Sequence, residues 1–309
     1  MNDAIPAGYP QTDPHIAGPV PPVDETMTVP RSHLRIAWQR FRHHRVALAG
    51  LVLLAVLALA SIFAPLLTPY GVDQQDLFDQ LAPPNAHHLL GTDSLGQDVW
   101  TRLLYGGRVS LSIGILSALL STLIGVTVGA VSGFYGRWVD TILMRIVDLL
   151  LAFPAIFLLL ILFSIIQASV TSVILFLGFF GWLYLARIIR GEFLSLREKE
   201  FVEAARALGV SGLRIMARHM LPNVIAPIIV TTTLEVAYNM LAEATLDFLG
   251  YGVPVEVPTW GNMLTGAEEF YLTVPLLAIF PGVALTVAIL AINFLGDGLR
   301  DAFDPRTIR

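Results

Sequence analysis

Long uncharged, apolar runs separated by charged segments dominate the pattern of this 309-residue chain. Three of these runs, Val46 to Leu67, Val109 to Gly136 and Phe270 to Gly296, hold 22, 28 and 27 residues. Because about 20 helical residues cross the hydrocarbon core of a bilayer, each run predicts one membrane-spanning helix. The run from Leu149 to Ala186, which holds 38 residues, predicts two spans joined by a polar turn at residues 167–172.

A further span is predicted from about Pro222 to Leu249, where Glu235, Glu243 and Asp247 interrupt the apolar pattern. The pattern as a whole therefore predicts an all-α polytopic membrane protein with six transmembrane helices. Composition agrees, since 55% of the residues are hydrophobic and only 14% are charged, which is too apolar for an ordinary soluble domain. The chain has no cysteine, which excludes disulfides and thiolate metal sites.

Positive charges lie almost entirely on one side of the predicted topology. Five lysines and arginines precede the first span, two follow the second, seven lie between the fourth and fifth, and three close the chain. Only Arg102 and Arg108 fall in an external loop. The positive-inside rule therefore predicts that both termini are cytoplasmic.

The same pattern divides the chain into five segments. Residues 1–30, with seven prolines, are expected to form a disordered cytoplasmic tail. A basic segment and the first transmembrane helix occupy 31–68, and 69–107 form an external loop with a short helix near Gly96–Tyr105, capped by Asp93 or Ser94. A five-helix core with a cytoplasmic loop at 197–222 occupies 108–300, and 301–309 form a cytoplasmic tail.

Small residues recur at four-residue spacing in the second span. Gly125, Gly129 and Gly133 would share one helix face. Faces of this kind let membrane helices approach closely, so the ladder predicts a helix–helix contact and carries no functional signal.

The cytoplasmic loop at 197–222 has an amphipathic helical pattern that a glycine interrupts. One predicted face is apolar and the other carries charge: Phe201, Ala204, Ala205 and Leu208 against Glu200, Glu203 and Arg206. Gly209 should end this helix, because glycine adopts a left-handed conformation without steric strain. Ser211 could cap a second helix with Leu213, Met216 and Met220 aligned, and Pro222 could begin the next span. From periodicity alone, a loop lying on the lipid surface fits as well as a docking element.

Motifs in this loop settle that choice by resemblance. Glu203, Ala204, Ala205, Gly209, Leu221 and Pro222 resemble the EAA signature of bacterial ABC importer permeases, although His219 stands where that pattern has isoleucine. Residues 90–98, 134–140, 242–250, 260–263 and 295–305 look like the C-type permease of dipeptide/oligopeptide importers. Gln97 departs from that subfamily, which often has arginine there. The similarity extends from about residue 31 to the end of the chain.

The resemblance implies a type I ABC importer permease fold in the bacterial cytoplasmic (inner) membrane. It implies a homologous B-type permease as partner, two cytoplasmic ATPase subunits that bind ATP and Mg, an extracytoplasmic substrate-binding protein, and a di- or oligopeptide substrate. The coupling residues it implies are Phe201, Glu203, Ala204, Ala205, Arg206, Leu208, Gly209, His219, Leu221 and Pro222. The external loop motif comprises Gly91, Thr92, Asp93, Gly96 and Asp98.

The chain itself is expected to catalyse nothing. It has no Gly-x4-Gly-Lys-Ser/Thr phosphate loop, and its seven histidines have no carboxylates at usual metal-ligand spacing, so neither a bound cofactor nor a metal is predicted. Lipid is the expected surroundings, and no nucleic-acid partner is predicted.

Acidic residues in the predicted fifth span form a candidate translocation pathway. Glu235, Glu243 and Asp247 are separated by eight and four residues, which places them on one helix face. They could meet the amino group of a peptide, or they could pack against donors from a partner or from the loop motifs. Other open alternatives are a permease of the same fold for nickel chelates or glutathione, an ion-coupled secondary transporter, and a scaffold that only anchors an ATPase.

Overall fold

The computed structural model describes residues 38–303, and the elements in this part of the chain are helical. The α-helices are α1 Arg45–Ile62, α2 Ala64–Leu67, α3 Val99–Tyr135, α4 Arg137–Leu151, α5 Ala155–Ile165, α6 Val170–Arg197, α7 Glu200–Ala207, α8 Gly212–Arg214, α9 Ile225–Phe248, α10 Trp260–Ala267 and α11 Leu276–Phe303. A π-helical stretch, Ile215–Met220, and a 3₁₀ turn, Leu221–Val224, join α8 to α9. The tail predicted at residues 1–30 lies outside the described residues.

Five helical stretches in the described chain are long and apolar enough to cross a membrane: α1, α3, α6, α11 and the stretch from Gly212 to the end of α9. The sixth span consists of α4 and α5, which are bent by 78° at the break between them. The prediction of an all-α protein with six spans is therefore confirmed, with the third span broken. Pro154, at the N-cap of α5, separates the two helices, and the 11 residues of α5 reach only about 16 Å.

The polar turn predicted at residues 167–172 is present between α5 and α6. Ser169 is the N-cap of α6, and its hydroxyl accepts a hydrogen bond from the Ser172 amide at 3.1 Å. The Ser172 hydroxyl in turn accepts from the Ser169 amide at 2.8 Å. This reciprocal capping box fixes the point at which the chain re-enters the membrane.

The prediction of a separate short helix near Gly96–Tyr105 is wrong. Residues from Val99 onward belong to α3, which continues without a break for 37 residues. Its N-cap is Asp98 rather than Asp93 or Ser94, and the Asp98 carboxylate accepts from the Thr101 amide at 2.8 Å. At about 1.5 Å per residue α3 is longer than the bilayer core is thick, so the helix does not lie wholly within the membrane core.

The glycine ladder of α3 packs directly against α6. A Cβ atom at Gly125, Gly129 or Gly133 would lie 2.6 to 2.9 Å from a backbone oxygen or side-chain carbon of α6. The predicted close helix contact is therefore confirmed. Two ion pairs continue this packing onto α4: Arg190 bonds Asp140 at 2.5 and 2.7 Å, and Arg187 bonds Asp148 at 2.5 Å.

Candidate coupling and translocation sites

The helix α7 ends in a rigid glycine turn. Gly209 has a φ of +75°, the left-handed conformation expected from the sequence. The Gly209 amide donates to the Arg206 carbonyl at 2.9 Å, and the Val210 amide donates to the Ala205 carbonyl at 3.1 Å. This pair of bonds is a Schellman motif, which satisfies carbonyls that the helix end would leave free. The turn therefore fixes the direction in which the chain leaves the C-terminal end of α7.

The two apolar faces of α7 have different surroundings. Val202 and Ala205 are buried in a cluster with Phe193, Ile215 and Met220 from α6 and the π-helical stretch. The assignment of Ala205 to the outer docking face is therefore wrong. Val202, which the sequence analysis did not single out, is the residue through which α7 is most deeply buried against the cluster. The spacing of three between Val202 and Ala205 is the signal that could have found it.

The outer apolar face of α7 is not covered by any of the residues that the structure describes. Phe201, Ala204 and Leu208 are exposed, and Leu208 is 83% exposed. Glu203 is exposed as well, whereas the guanidinium of Arg206 lies 5.3 Å from the centre of the Phe134 ring. The structure thus presents a small apolar surface on a helix that is anchored from behind.

The second arm of the loop is less regular than predicted. Ser211 occupies the N-cap position of α8 but makes no side-chain capping bond, and α8 has three residues only. Met216 and Met220 are buried as expected, whereas Leu213 is exposed. The chain widens into the π-helical stretch before Pro222, because a proline amide cannot close a helical hydrogen bond.

Pro222 does not begin α9, which starts three residues later at Ile225. The 3₁₀ turn that contains Pro222 is held by the Asn223 side-chain amide, which donates to the His219 carbonyl at 2.6 Å. Leu221 packs against the same apolar cluster that anchors α7. These contacts attach the end of the loop to the membrane core.

The external loop motif forms a compact turn at the start of α3. Gly91 and Gly96 have φ values of +81° and +70°, and Thr92 forms a single β-bridge with Asp98. The Asp93 carboxylate accepts from the Gln97 amide at 2.9 Å. The Asp98 carboxylate accepts from both the amide and the hydroxyl of Thr101 and lies 3.0 Å from His88 Nδ1.

An arginine from α3 closes this turn. Arg102 is paired with Asp93 at 3.7 Å and donates hydrogen bonds to the Gln97 side chain and to the Val255 carbonyl. Gln97 therefore acts as a neutral hydrogen-bond acceptor for Arg102. The motif positions α3 against the loop at residues 250–272, the second external loop.

Glu243 and Asp247 belong to a buried network that holds the second external loop. The Ser110 hydroxyl lies 3.4 Å from both oxygens of Glu243 and accepts from the Trp260 amide at 3.1 Å. The Asp247 carboxylate accepts from the Val253 amide at 2.7 Å and from the Thr259 hydroxyl. Neither acid lines the cavity described below. For both residues the structure thus supports packing against hydrogen-bond donors of α3 or of the loop rather than contact with a peptide.

Replacing Asp247 by alanine is expected to loosen residues 250–262 selectively. The Val253 amide and the Thr259 hydroxyl would lose their buried acceptor, a loss of about 1–3 kcal/mol for each unsatisfied group. Hydrogen exchange in detergent should become faster in this loop and stay unchanged at residues 200–210. The matched control is Glu256→Ala in the same loop, at an exposed position. Equal exchange in Asp247→Ala and wild type would contradict this role.

Glu235 lines a cavity of about 810 Å³ between α4, α5, α6, α9 and the end of α11. Most of the lining is apolar. Of the described residues that line it, Glu235 is the one carboxylate and Arg300 the one cation. The hydroxyl of Ser121, a residue of α3, donates a hydrogen bond to the Glu235 carboxylate. Helical spacing placed the three acids on one face, but their surroundings differ. Glu235 lines the cavity, whereas Glu243 and Asp247 are buried and bind residues of the second external loop or of α3.

The family model described as "binding-protein-dependent transport system inner membrane component" matches residues 125–309 of this chain. A second model, described as the "N-terminal TM domain of oligopeptide transport permease C", matches residues 32–84. The first match covers α4 to α11, and the second includes α1 and the beginning of the external loop. The first match includes the coupling loop at residues 197–222, the residues that line the cavity, and Glu243 and Asp247, whereas residues 85–124, with Ser110, lie outside both matches.

Curated relatives match over most of the chain. A putative peptide permease protein of Brucella suis is 46% identical over 273 residues, which cover 86% of this chain and 89% of the relative. A putative peptide transport system permease protein of Brucella abortus is 43% identical over 276 residues, or 89% and 93% of the two chains. A dipeptide transport system permease protein of Alkalihalophilus pseudofirmus is 38% identical over 286 residues, or 93% of each chain.

Proposed function

Because this chain belongs to the family of binding-protein-dependent transport system inner membrane components, we propose that it moves di- and oligopeptides across the cytoplasmic membrane of a bacterium. It is the permease subunit of a peptide ABC importer, and the peptide-permease names of its relatives support this substrate class. Two alternatives, a nickel-chelate or glutathione permease and an ion-coupled transporter, are less favoured by those relatives.

The exposed face of α7 carries the mechanistic part of this proposal. Phe201, Ala204 and Leu208 form a small apolar surface on a helix fixed from behind by Val202 and ended by the Gly209 turn. A rigid, uncovered helix of this kind can transmit the movement of a docked subunit to the membrane core. We assign ATP hydrolysis to two cytoplasmic ATPase subunits that bind ATP and Mg and dock on this face.

The remaining partners follow from the same function. A homologous B-type permease pairs with this chain, and an extracytoplasmic binding protein delivers peptide to the side of the external loops. Both termini are then cytoplasmic, as the distribution of lysine and arginine predicts. This chain has no catalytic role of its own, and no nucleic acid is involved.

Uptake by the complete complex in proteoliposomes tests this function. With ATP inside and binding protein outside, we expect accumulation of a labelled dipeptide, and no accumulation with a non-hydrolysable ATP analogue. An ion gradient without ATP should drive no uptake. Labelled glutathione and a nickel–histidine chelate serve as competing substrates in parallel. Uptake of either one in place of the peptide, or uptake driven by the gradient alone, would contradict the proposal.

A further inference from the structure

Three helices of the membrane core each carry a buried polar group without a partner. Within residues 38–303, three buried side-chain atoms have no hydrogen-bond partner: Ser117 Oγ, Trp182 Nε1 and Asn239 Nδ2. They lie on α3, α6 and α9, the three helices that surround Glu235. Buried polar groups normally have a partner, so an unpartnered set of this kind requires an explanation.

Asn239 connects these groups to the cavity. Its side chain is 1% exposed, and the residue lines the same cavity as Glu235. The two residues are four apart on α9, which places them one above the other on one helix face. Asn239 Nδ2 is a buried, unpartnered donor, and it belongs to a residue that lines the same cavity as Glu235.

Neutral groups hold the Glu235 carboxylate in place, and among residues 38–303 it has no ion-pair partner. It accepts a hydrogen bond from Ser121, and Gly181 provides the space for it, since a Cβ there would overlap Glu235 Oε1. A carboxylate in largely apolar surroundings attracts a cation strongly, because the local dielectric constant is low.

We propose that Glu235 and Asn239 form a binding site for the amino end of a peptide in transit. The Glu235 carboxylate accepts hydrogen bonds from the peptide ammonium group, and Asn239 Nδ2 donates to the neighbouring peptide carbonyl. The apolar lining of the cavity accommodates side chains of different shapes without selecting among them. This inference rests on the proposed function and assigns it a site within the permease.

The charge of the site separates peptides from the competing substrates of this fold. A dipeptide with neutral side chains presents one ammonium group and a carbonyl two bonds further along. Glutathione carries two carboxylates and one ammonium group, so its net charge is negative and the Glu235 carboxylate repels it, whereas Arg300 lies at the end of α11 on the same cavity. The experiment below distinguishes a bound peptide from a hydrogen-bond donor of the partner permease at Glu235.

The test uses the complete reconstituted complex and measures dipeptide uptake per ATP hydrolysed. Glu235→Gln has nearly the same shape and can still accept from Ser121, so assembly should persist. We expect uptake per ATP to fall by about 10-fold or more, the size of a lost charge-assisted hydrogen bond. Stimulation of ATP hydrolysis by the loaded binding protein should remain, because that step precedes contact with the cavity.

A second variant and a matched control complete the design. Asn239→Asp adds a carboxylate to the site and should raise the uptake of lysyl-alanine relative to alanyl-alanine. Glu192→Gln makes the same chemical change at an exposed position on α6 and should leave uptake per ATP unchanged.

Three outcomes would overturn the site. The first is equal uptake per ATP in Glu235→Gln and wild type, with peptide import intact. The second is loss of the partner permease from the purified complex, with normal uptake by the fraction that assembles, which would indicate a subunit contact. The third is an unchanged preference between the two dipeptides in Asn239→Asp. Absence of peptide uptake by the wild type would instead overturn the proposed function itself.

Discussion

Replacing Leu208 by aspartate is expected to release the ATPase subunits from this permease and to abolish most peptide-stimulated ATP hydrolysis. Leu208 is 83% exposed at the C-cap of α7, and it belongs to none of the apolar clusters formed by residues 38–303. A buried interface anchor contributes about 2 kcal/mol or more, which corresponds to an affinity loss of about 30-fold. Co-purification of the ATPase subunits with the tagged permease measures the effect directly.

The matched control for this prediction is Leu272→Asp. Leu272 is 80% exposed in the second external loop, so the chemical change and the exposure are nearly the same. This control should retain the ATPase subunits, and both variants should insert into membranes and unfold at the wild-type temperature. Full retention of the ATPase subunits by Leu208→Asp would contradict the docking role and favour a loop that lies on the lipid surface.

Replacing Gly129 by leucine should prevent α3 from packing on α6. A Cβ atom at this position would lie 2.6 Å from the Ala186 carbonyl oxygen and 2.8 Å from Ile189 Cβ. The helices would have to separate, which would disturb the neighbouring glycine contacts as well. Overpacking of this kind destabilises by about 3 kcal/mol. Thermal unfolding of the purified permease in detergent should show a lower midpoint, and the yield of monodisperse protein should fall.

Gly191→Ala provides the control for the glycine ladder. Gly191 lies on α6, and within residues 38–303 no heavy atom beyond its chain neighbours and its own helix backbone lies within 4 Å of the position of its Cβ. Alanine is the better helix former by about 1 kcal/mol, so this variant should unfold at the same or a higher temperature. A Gly129→Leu variant as stable as Gly191→Ala would show that the close approach of α3 and α6 is not required.

Several features of the sites could be predicted from local sequence. Gly209 adopts the left-handed conformation expected of a glycine that ends an amphipathic helix. The glycines of α3 face a neighbouring helix, and Ser169 and Ser172 cap the start of α6. In each case the signal lies within a few residues and reflects backbone conformation or side-chain size, which act locally.

Other features depended on contacts between distant parts of the chain. Helical spacing placed Glu235, Glu243 and Asp247 on one face but could not distinguish them. Ser121 and Gly181 hold Glu235 at the cavity, whereas Thr259 and Val253 hold Asp247 under the external loop. These partners are 6 to 114 residues away along the chain, so only the folded arrangement shows which acid remains available.

The two apolar faces of α7 likewise could not be told apart from local sequence. Its sequence contains two apolar sets, Phe201 with Ala204 and Leu208, and Val202 with Ala205. The fold decides between them, because Ile215 and Met220 return to cover the second set and leave the first exposed.

The sequence by itself determined the number and approximate position of the spans, the membrane orientation expected from charge, and the glycine turn of the coupling loop. These properties follow from hydrophobicity, from the positions of lysine and arginine, and from backbone conformation, which each segment carries independently of its neighbours. Only the tertiary structure decided that the third span is broken, that Asp98 begins α3, and that Glu235 lines the cavity with Asn239. These depend on which helices meet, and burial and hydrogen-bond partners are defined only once they have met.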